Sequence, residues 1–165
     1  MRQHRRGNGQ MGLRIWAAML TAGLSAMPAV AAAPVGCTGP ASSHWINLTI
    51  DNLRNGKGVV ILTLYPDDKA RFLKPMGSLY VTKVPARAGT STACIHVPQP
   101  GAYGLALYHD ENANGKIDRN GLGIPKEGFG FSNNPKIFMS APGFKSVRFQ
   151  AGPAGTALRI RMKYP

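Results

Sequence analysis

The feature that most limits the fold is a series of short segments in which apolar and polar residues alternate. From His44 to Leu53, for example, Ile46, Leu48 and Ile50 alternate with polar residues. This period of two is typical of a β-strand with one buried face. The chain's 13 Pro and 20 Gly residues separate the segments and leave little room for helices. The predicted strands are His44–Leu53, Val59–Tyr65, Ser78–Val84, Thr92–Val97, Tyr103–His109, Lys145–Gln150 and Ala157–Tyr164.

These segments predict an all-β domain, specifically a seven-stranded antiparallel β-sandwich of the immunoglobulin or transthyretin-like type. The second strand is apolar on both faces, which predicts a central position in its sheet. The sequence NGKG at Asn55–Gly58 predicts a hairpin turn between the first two strands, because Asn-Gly tolerates positive φ. The connection between the fifth and sixth strands is unusually long, and such connections in compact domains are usually functional or internally organised. The expected fold is therefore a sandwich with one long ordered loop.

The N-terminal segment predicts a secretory signal peptide rather than a part of the fold. Four Arg residues and no acid precede an apolar run from Ile15 to Met27, and Ala29–Ala31 provides an A-x-A cleavage motif. The run is too short to span a bilayer, so no transmembrane segment is expected. Residues 1–31 are assigned to the signal peptide and residues 32–165 to a single β-sandwich domain, with a periplasmic or secreted location.

The predicted mature chain is strongly basic, but its charge is dispersed. The signal peptide contains four of the 20 Lys and Arg residues and none of the seven Asp and Glu residues, which leaves a net charge of +9. Nucleic-acid binding is not expected, because no basic cluster is interleaved with aromatic residues. Arg159, Arg161 and Lys163 alternate with apolar residues and predict the solvent-facing side of the last strand.

Two cysteines, Cys37 and Cys94, remain in the predicted mature chain. An isolated pair in an exported protein most simply forms a disulfide. This disulfide would tie the N-terminal segment to the fourth predicted strand. A redox or metal pair would be expected to show C-x-x-C spacing, which these cysteines lack.

The long connection concentrates acidic and amide residues, since four of the chain's seven Asp and Glu residues lie between positions 110 and 127. The segment DENANGKID, residues 110–118, fits the pattern D-x-[DN]-x-[DN]-G-x-x-D, which places oxygen atoms around calcium in a tight turn. The EF-hand pattern continues to a Glu at a position that is Gly121 here, so Glu127 is predicted to supply the remaining carboxylate. The predicted calcium ligands are Asp110, Asn112, Asn114, the main-chain carbonyl of Lys116, Asp118 and Glu127.

Two alternatives to a calcium site remain open at this point. Asn and Asp side chains form Asx turns with their own backbone, and such turns explain the Asn and Gly residues without a metal. They explain the concentration of acids poorly. In the second alternative, Lys116, Arg119 and Lys126 neutralise the acids in place of a cation.

Residues on either side of this acidic segment are the candidate ligand-facing residues. Phe129 and Phe131 alternate with glycine, and they either pack the loop onto the sandwich or face a ligand together with Asn133 and Asn134. His109 directly precedes the acidic segment, and it either closes its strand or acts as a base beside a metal-bound water. No G-x-S-x-G motif accompanies it, so no catalytic residue is assigned.

The segment GAYGLALYHDENANGKIDRNGLGIPKEGFGFSNNP, residues 101–135, resembles the signature of an uncharacterised bacterial family, domain of unknown function 2141. The later FMSAPGFKSVRF, residues 138–149, resembles the segment that follows in that family. The resemblance extends from Trp45 to Tyr164. It implies an exported single-domain β protein in which Asp110–Asn134 acts as one unit, and it implies no particular activity.

The sequence as a whole favours a non-enzymatic binding or structural module of the cell envelope. Its expected ligand is calcium, held by the loop of residues 110–127, and its expected partner is another envelope protein or a glycan. The alternative function is that of a metal-assisted hydrolase in which His109 acts near the loop.

Overall fold

The computed structural model describes residue 1 and residues 33–138, 140–153 and 155–165. The predicted signal peptide, apart from Met1, therefore lies outside the described residues. Within them the chain forms eight strands and one short helix. In chain order these are β1 (His44–Leu53), β2 (Val59–Pro66), β3 (Tyr80–Pro85), β4 (Gly89–Val97), β5 (Gly101–Asp110), β6 (Phe129–Phe131), α1 (Phe144–Val147), β7 (Phe149–Ala151) and β8 (Thr156–Arg161).

The strands form two sheets. In the smaller sheet β1 lies between β4 and β8, and in the larger sheet the order is β3-β2-β5-β6, with β7 paired to the other end of β5. The pairs of the larger sheet are antiparallel, whereas β1 and β8 run parallel. The all-β prediction is confirmed. The predicted number of seven strands is wrong by one, and the smaller sheet is mixed rather than purely antiparallel.

One apolar core joins the inner faces of the two sheets. Ile46, Leu48 and Ile50 of β1 are each at most 1% exposed. They are buried together because successive side chains of a strand point to opposite faces, so that every second residue faces inward. The same cluster includes Val60, Leu62, Leu64, Ile95, Leu105, Leu107 and Ile160. The two sheets thus pack in a sandwich-like arrangement.

A second apolar cluster covers part of the outer face of the larger sheet. It contains Tyr65, Phe72, Phe131, Phe144 and Val147. The ring of Phe72 lies 5.1 Å from that of Tyr65 and 5.6 Å from that of Phe144, measured between centroids. The cluster anchors the connections after β2 and after β6 to the sheet.

The predicted sixth strand, Lys145–Gln150, is wrong over its first four residues, Lys145–Arg148. Helix α1 occupies Phe144–Val147, and only then does β7 begin. Phe144 and Val147 are three residues apart, which places them on the same side of a helical turn, and both are buried. Burial of this pair on the outer face of the sheet outweighs the alternating pattern that predicted a strand.

Two further details of the connections differ from the prediction. The turn at Asn55–Gly58 does not close a hairpin, because β1 and β2 belong to different sheets. In its own sheet, β1 pairs with β4 on one side and with β8 on the other. Strand β6 was not predicted, because the alternation of Phe129 and Phe131 with glycine is too short to distinguish a strand from a loop. It pairs with β5, with Phe129 and Phe131 on the outer face and Gly130 toward the core.

Cys37 and Cys94 form the predicted pair at disulfide distance, with Cα atoms 4.4 Å apart. The main-chain N–H of Thr38 donates to the Cys94 carbonyl at 2.9 Å, so the N-terminal segment runs along β4. Within the described part of the chain, no helix has the length and hydropathy needed to cross a bilayer.

Candidate functional site

The acidic loop, defined here as residues 110–127, connects two neighbouring antiparallel strands. It begins at the last residue of β5 and ends two residues before β6. The His109 N–H donates to the Gly128 carbonyl at 2.8 Å, so the two ends of the loop meet at its base. This pairing brings the first and last acids of the loop, Asp110 and Glu127, to the same end of the sheet.

Asp110 anchors the first turn of the acidic loop. Its side chain is buried, with the residue 1% exposed. Oδ1 accepts from the N–H of Asn114 at 3.0 Å, and Oδ2 accepts from the N–H of Gly115 at 2.7 Å. Gly115 has a φ of 78°, which favours glycine at this point of the tight turn.

Glu127 bridges the two sides of the loop. The residue is 4% exposed. Oε1 accepts from the N–H of Glu111 at 2.9 Å, and Oε2 accepts from the N–H of Asp118 at 3.0 Å. The carboxylate that was predicted to complete the calcium site therefore links the beginning of the loop to its middle.

Asx turns and amide contacts organise the centre of the loop. The side-chain oxygen of Asn112 accepts from the N–H of Asn114 at 3.1 Å, and that of Asn114 accepts from the N–H of Lys116 at 2.8 Å. The Nδ2 atoms of both amides donate to the Asp118 carboxylate, at 2.8 and 3.1 Å. The loop therefore contains the Asx turns of the first alternative.

The basic residues of the second alternative do not pair with the loop's buried acids. Ion pairs among the described residues join Arg54 to Glu111, Arg148 to Asp67 and Arg159 to Asp51. Within the described chain, the carboxylates at positions 110, 118 and 127 therefore have no ion pair with Lys or Arg.

Glu111 is the loop acid with a cationic neighbour. Its carboxylate lies 2.5 Å from Arg54 Nη2 and accepts from Asn55 Nδ2 at 2.8 Å. Burial by itself would raise the pKa of Glu111, but the hydrogen bonds from Asn55 and Arg54 outweigh it, so that the pKa lies below its ordinary value. Glu111 therefore fastens the loop to the connection after β1.

The two buried carboxylates of the loop both influence the side chain of Tyr108. Its pKa is raised, first by burial and then by the negative charges of Asp110 and Glu127. Asp110 and Glu127 therefore both lie near Tyr108, at the end of β5.

The oxygen donors gathered in the loop suit a hard cation in their chemistry. However, among the described residues no group of three or more His, Cys, Asp or Glu side chains has a metal-holding arrangement. Asp110, Asp118 and Glu127 thus do not form such a group by themselves, and a cation would also require the amide and main-chain oxygens. Calcium binding by this loop stays a prediction.

His109 is fully buried and both of its ring nitrogens are engaged. Nε2 lies 2.8 Å from the Lys57 carbonyl, and Nδ1 lies 2.8 Å from the Tyr164 hydroxyl. A carbonyl only accepts, so in the neutral ring Nε2 carries the hydrogen and Nδ1 accepts from Tyr164. This geometry gives His109 no free nitrogen to act as a base, and it does not favour the hydrolase alternative.

Asn133 and Asn134 use their amides to hold main-chain segments together. Asn133 Nδ2 donates to the Arg148 carbonyl at 2.7 Å. The side chain of Asn134 accepts from the N–H of Arg161 at 2.7 Å and donates to the Arg159 carbonyl at 3.0 Å. These contacts fasten the end of β6 to β8 and to the segment after α1.

Phe129 and Phe131 line a groove of about 820 Å³ on the outer face of the larger sheet. We call it the outer-face groove. The sequence did not predict its other apolar lining residues, which include Ile117, Leu122, Ile124 and Phe138. They lie in connections without a periodic pattern. The available signal was the presence of large apolar residues within otherwise polar loops.

No curated protein and no solved structure matches the chain. A family model described as "Uncharacterized protein conserved in bacteria (DUF2141)" matches residues 48–159. This range is more than half of the 165 residues, and it contains the whole acidic loop and every strand from β2 to β7. The chain therefore belongs to the DUF2141 family of proteins conserved in bacteria.

Proposed function

We propose that the protein is an exported module of the cell envelope whose acidic loop binds calcium, and that its role is binding or structural rather than catalytic. The observation that carries the proposal is the burial of Asp110 and Glu127, which are 1% and 4% exposed. Their hydrogen-bond partners are main-chain N–H groups. We further propose that the sandwich is of the immunoglobulin or transthyretin-like type.

Burial of two carboxylates in one region requires compensation of their charge. Buried ionised groups in proteins are generally paired with opposite charges or coordinate metals. The four N–H donors provide hydrogen bonds to the carboxylate oxygens, but they do not cancel the two negative charges. A divalent cation would do so, and it would also reduce the repulsion from the partly buried Asp118.

The donor set favours calcium over a transition metal. It consists of the carboxylates of Asp110, Asp118 and Glu127, the amide oxygens of Asn112 and Asn114, and the Lys116 carbonyl. Ca²⁺ takes six to eight oxygen ligands, whereas Zn²⁺ prefers nitrogen and sulfur. The side-chain oxygens of Asn112 and Asn114 each accept one main-chain hydrogen bond, and each retains a second lone pair that could bind a cation.

Two features support an exported location. The N-terminal segment has the charge and apolar pattern of a signal peptide. Cys37 and Cys94 lie at disulfide distance, and structural disulfides form mainly in oxidising compartments such as the periplasm.

The calcium proposal is tested by thermal unfolding with calcium and with a chelator. At a hundredfold excess of calcium over its dissociation constant, the folded state should gain about 2.7 kcal/mol. For a domain of this size, that gain raises the melting temperature by roughly 10 °C. The variant Asp118→Asn should lose most of this shift, because it removes a charged ligand.

The matched control is Asp67→Asn, which changes an exposed carboxylate outside the loop. It should retain the full calcium-dependent shift. The proposal is rejected if millimolar calcium leaves the melting temperature of the wild-type protein unchanged, or if Asp118→Asn shifts as much as the wild-type protein does.

A further inference from the structure

The outer-face groove has the size and lining of a small-molecule site. Its volume of about 820 Å³ lies within the range of roughly 300–1,000 Å³ that is typical of ligand pockets. Tyr65, Tyr108, Phe129 and Phe131 project from β2, β5 and β6 on the outer face and contribute aromatic surface to its lining. The groove thus presents an aromatic floor on a rigid sheet.

The rims of the groove expose large apolar side chains to solvent. On the acidic-loop side, Leu122 is 85% exposed and Ile124 is 47% exposed. On the opposite connection, after β6, Phe138 is 78% exposed. Apolar side chains grouped at the mouth of an apolar cleft are typical of a binding site rather than of an ordinary surface.

The charged side chains of the lining are both cationic. Arg119 and Lys163 line the groove, and none of the described Asp or Glu side chains does so. Arg119 Nη1 donates to the Gly123 carbonyl at 2.7 Å, and Lys163 Nζ donates to the Pro135 carbonyl at 2.7 Å. A guanidinium has five N–H donors and an ammonium has three, so both groups retain donors for an anion.

A glycan fits this lining poorly. A sugar needs donors and acceptors for each hydroxyl group that it buries, and the described lining offers the hydroxyls of Thr63, Tyr65, Tyr108, Ser140 and Tyr164 but no Asn, Gln, Asp or Glu side chain. Hydroxyl groups buried without partners would weaken binding. An acyl chain needs no such partners and gains from contact with the apolar floor.

We propose that the outer-face groove binds a single-chain amphiphile with an anionic head group, of the fatty-acid type. The acyl chain lies on the aromatic floor, and the carboxylate lies beside Arg119 and Lys163. The groove residues named here are not the proposed calcium ligands, but Arg119, Leu122 and Ile124 belong to the acidic loop, so the binding test is made both with and without calcium.

The test is a titration of the purified protein with a dansyl-labelled undecanoic acid below its micelle concentration, followed by competition. Dodecanoate should displace the probe at micromolar concentration, and maltooligosaccharide should not. Leu122→Glu and Phe138→Glu should each weaken binding about tenfold, because each loses a large apolar contact. Val81→Glu, at an exposed apolar position of β3 outside the groove, should bind as the wild-type protein does.

The head-group assignment is tested with a double variant, Arg119→Gln with Lys163→Gln. It should weaken dodecanoate binding at least fivefold and leave the binding of dodecanol unchanged. Lys83→Gln, at an exposed position of β3, is the matched control for loss of positive charge. Equal affinity for dodecanoate and dodecanol in the wild-type protein would overturn the anionic head group.

Three results would each overturn the groove proposal as a whole. The first is the absence of saturable probe binding, and the second is displacement of the probe by oligosaccharide alone. The third is a wild-type protein that binds no amphiphile but self-associates in a way that Phe138→Glu abolishes. The titration is run both in calcium and in chelator. A calcium-dependent melting shift without amphiphile binding rejects the groove and leaves the loop proposal intact. Amphiphile binding without a calcium shift rejects the loop proposal and supports the groove.

Discussion

Replacement of Glu127 by Gln isolates the contribution of one buried carboxylate to the stability of the acidic loop. In the wild-type protein the two oxygens accept separate main-chain bonds, at 2.9 Å from the Glu111 N–H and at 3.0 Å from the Asp118 N–H. Glutamine keeps one acceptor oxygen and turns an NH₂ group toward the other N–H. The variant therefore loses one charged hydrogen bond, weakens the second and leaves a main-chain donor unpaired.

The magnitude follows from these losses. A hydrogen bond to a charged group contributes about 1.5–3 kcal/mol and a neutral bond about 0.5–1.5 kcal/mol. With the unpaired N–H included, Glu127→Gln should lower the free energy of unfolding by about 3 kcal/mol in the presence of a chelator. Glu111→Gln makes the same chemical change at a side chain that is 18% exposed and paired with a half-exposed Arg54. It should lower the free energy of unfolding by about 1 kcal/mol or less.

The assay is urea unfolding monitored by tryptophan fluorescence. Trp45 is 5% exposed, and it is the single tryptophan of residues 32–165, so its emission reports directly on the fold. Both variants are compared with the wild-type protein in the presence of a chelator. The unfolding free energies of all three proteins should have the same slope against urea concentration, which shows that their unfolded states are comparable. If Glu127→Gln loses no more stability than Glu111→Gln, the carboxylate bridge does not hold the loop.

Three further changes test other parts of the structure. Replacement of both cysteines by serine should lower the free energy of unfolding by about 4 kcal/mol, because the disulfide closes a long loop in the unfolded chain. An unchanged urea midpoint would contradict this expectation. Gly58→Ala should lower the free energy of unfolding by about 3 kcal/mol, because a Cβ there would lie 2.0 Å from the Asp110 carbonyl oxygen. Gly89→Ala, which is also at positive φ but faces open space, should lower it by about 1 kcal/mol. Equal losses in the two variants would refute the steric argument. The lowered pKa of Glu111 means that its contribution to stability is present above the ordinary value of 4.5 and is lost as the pH falls through the depressed value. The difference in urea midpoint between the wild-type protein and Glu111→Gln should therefore shrink in acid, and a difference that grows would show that the sign is wrong.

The strands that the sequence predicted well are those whose pattern is local. The alternation of Ile46, Leu48 and Ile50 reports directly which side of β1 is buried, because side chains of a strand alternate between faces. The parallel pairing of β1 with β8 has no local signal. The sequence prediction placed Val147 in the strand Lys145–Gln150, because an apolar pattern over so few residues does not distinguish a strand from a single helical turn.

In the acidic loop, too, some features follow from the local sequence and others depend on distant residues. The turn around Asp110 and the two Asn residues follows from spacing within one short segment, and the structure contains the corresponding Asx turns. The burial of His109 could not be predicted in this way. Its partners, the Lys57 carbonyl and the Tyr164 hydroxyl, come from distant parts of the chain. The groove likewise depends on how two separate connections cover one sheet.

The parallel pairing of β1 with β8 has a consequence for how the chain folds. Ile46 pairs with Thr156 and Asp51 pairs with Arg161, so the smaller sheet is completed by residues far along the chain from its central strand. Contacts of this kind slow folding, because a long segment must close before they form. Until β8 arrives, one edge of β1 remains open to pairing with another molecule. A chain shortened before β8 is therefore expected to aggregate rather than to form a smaller stable domain.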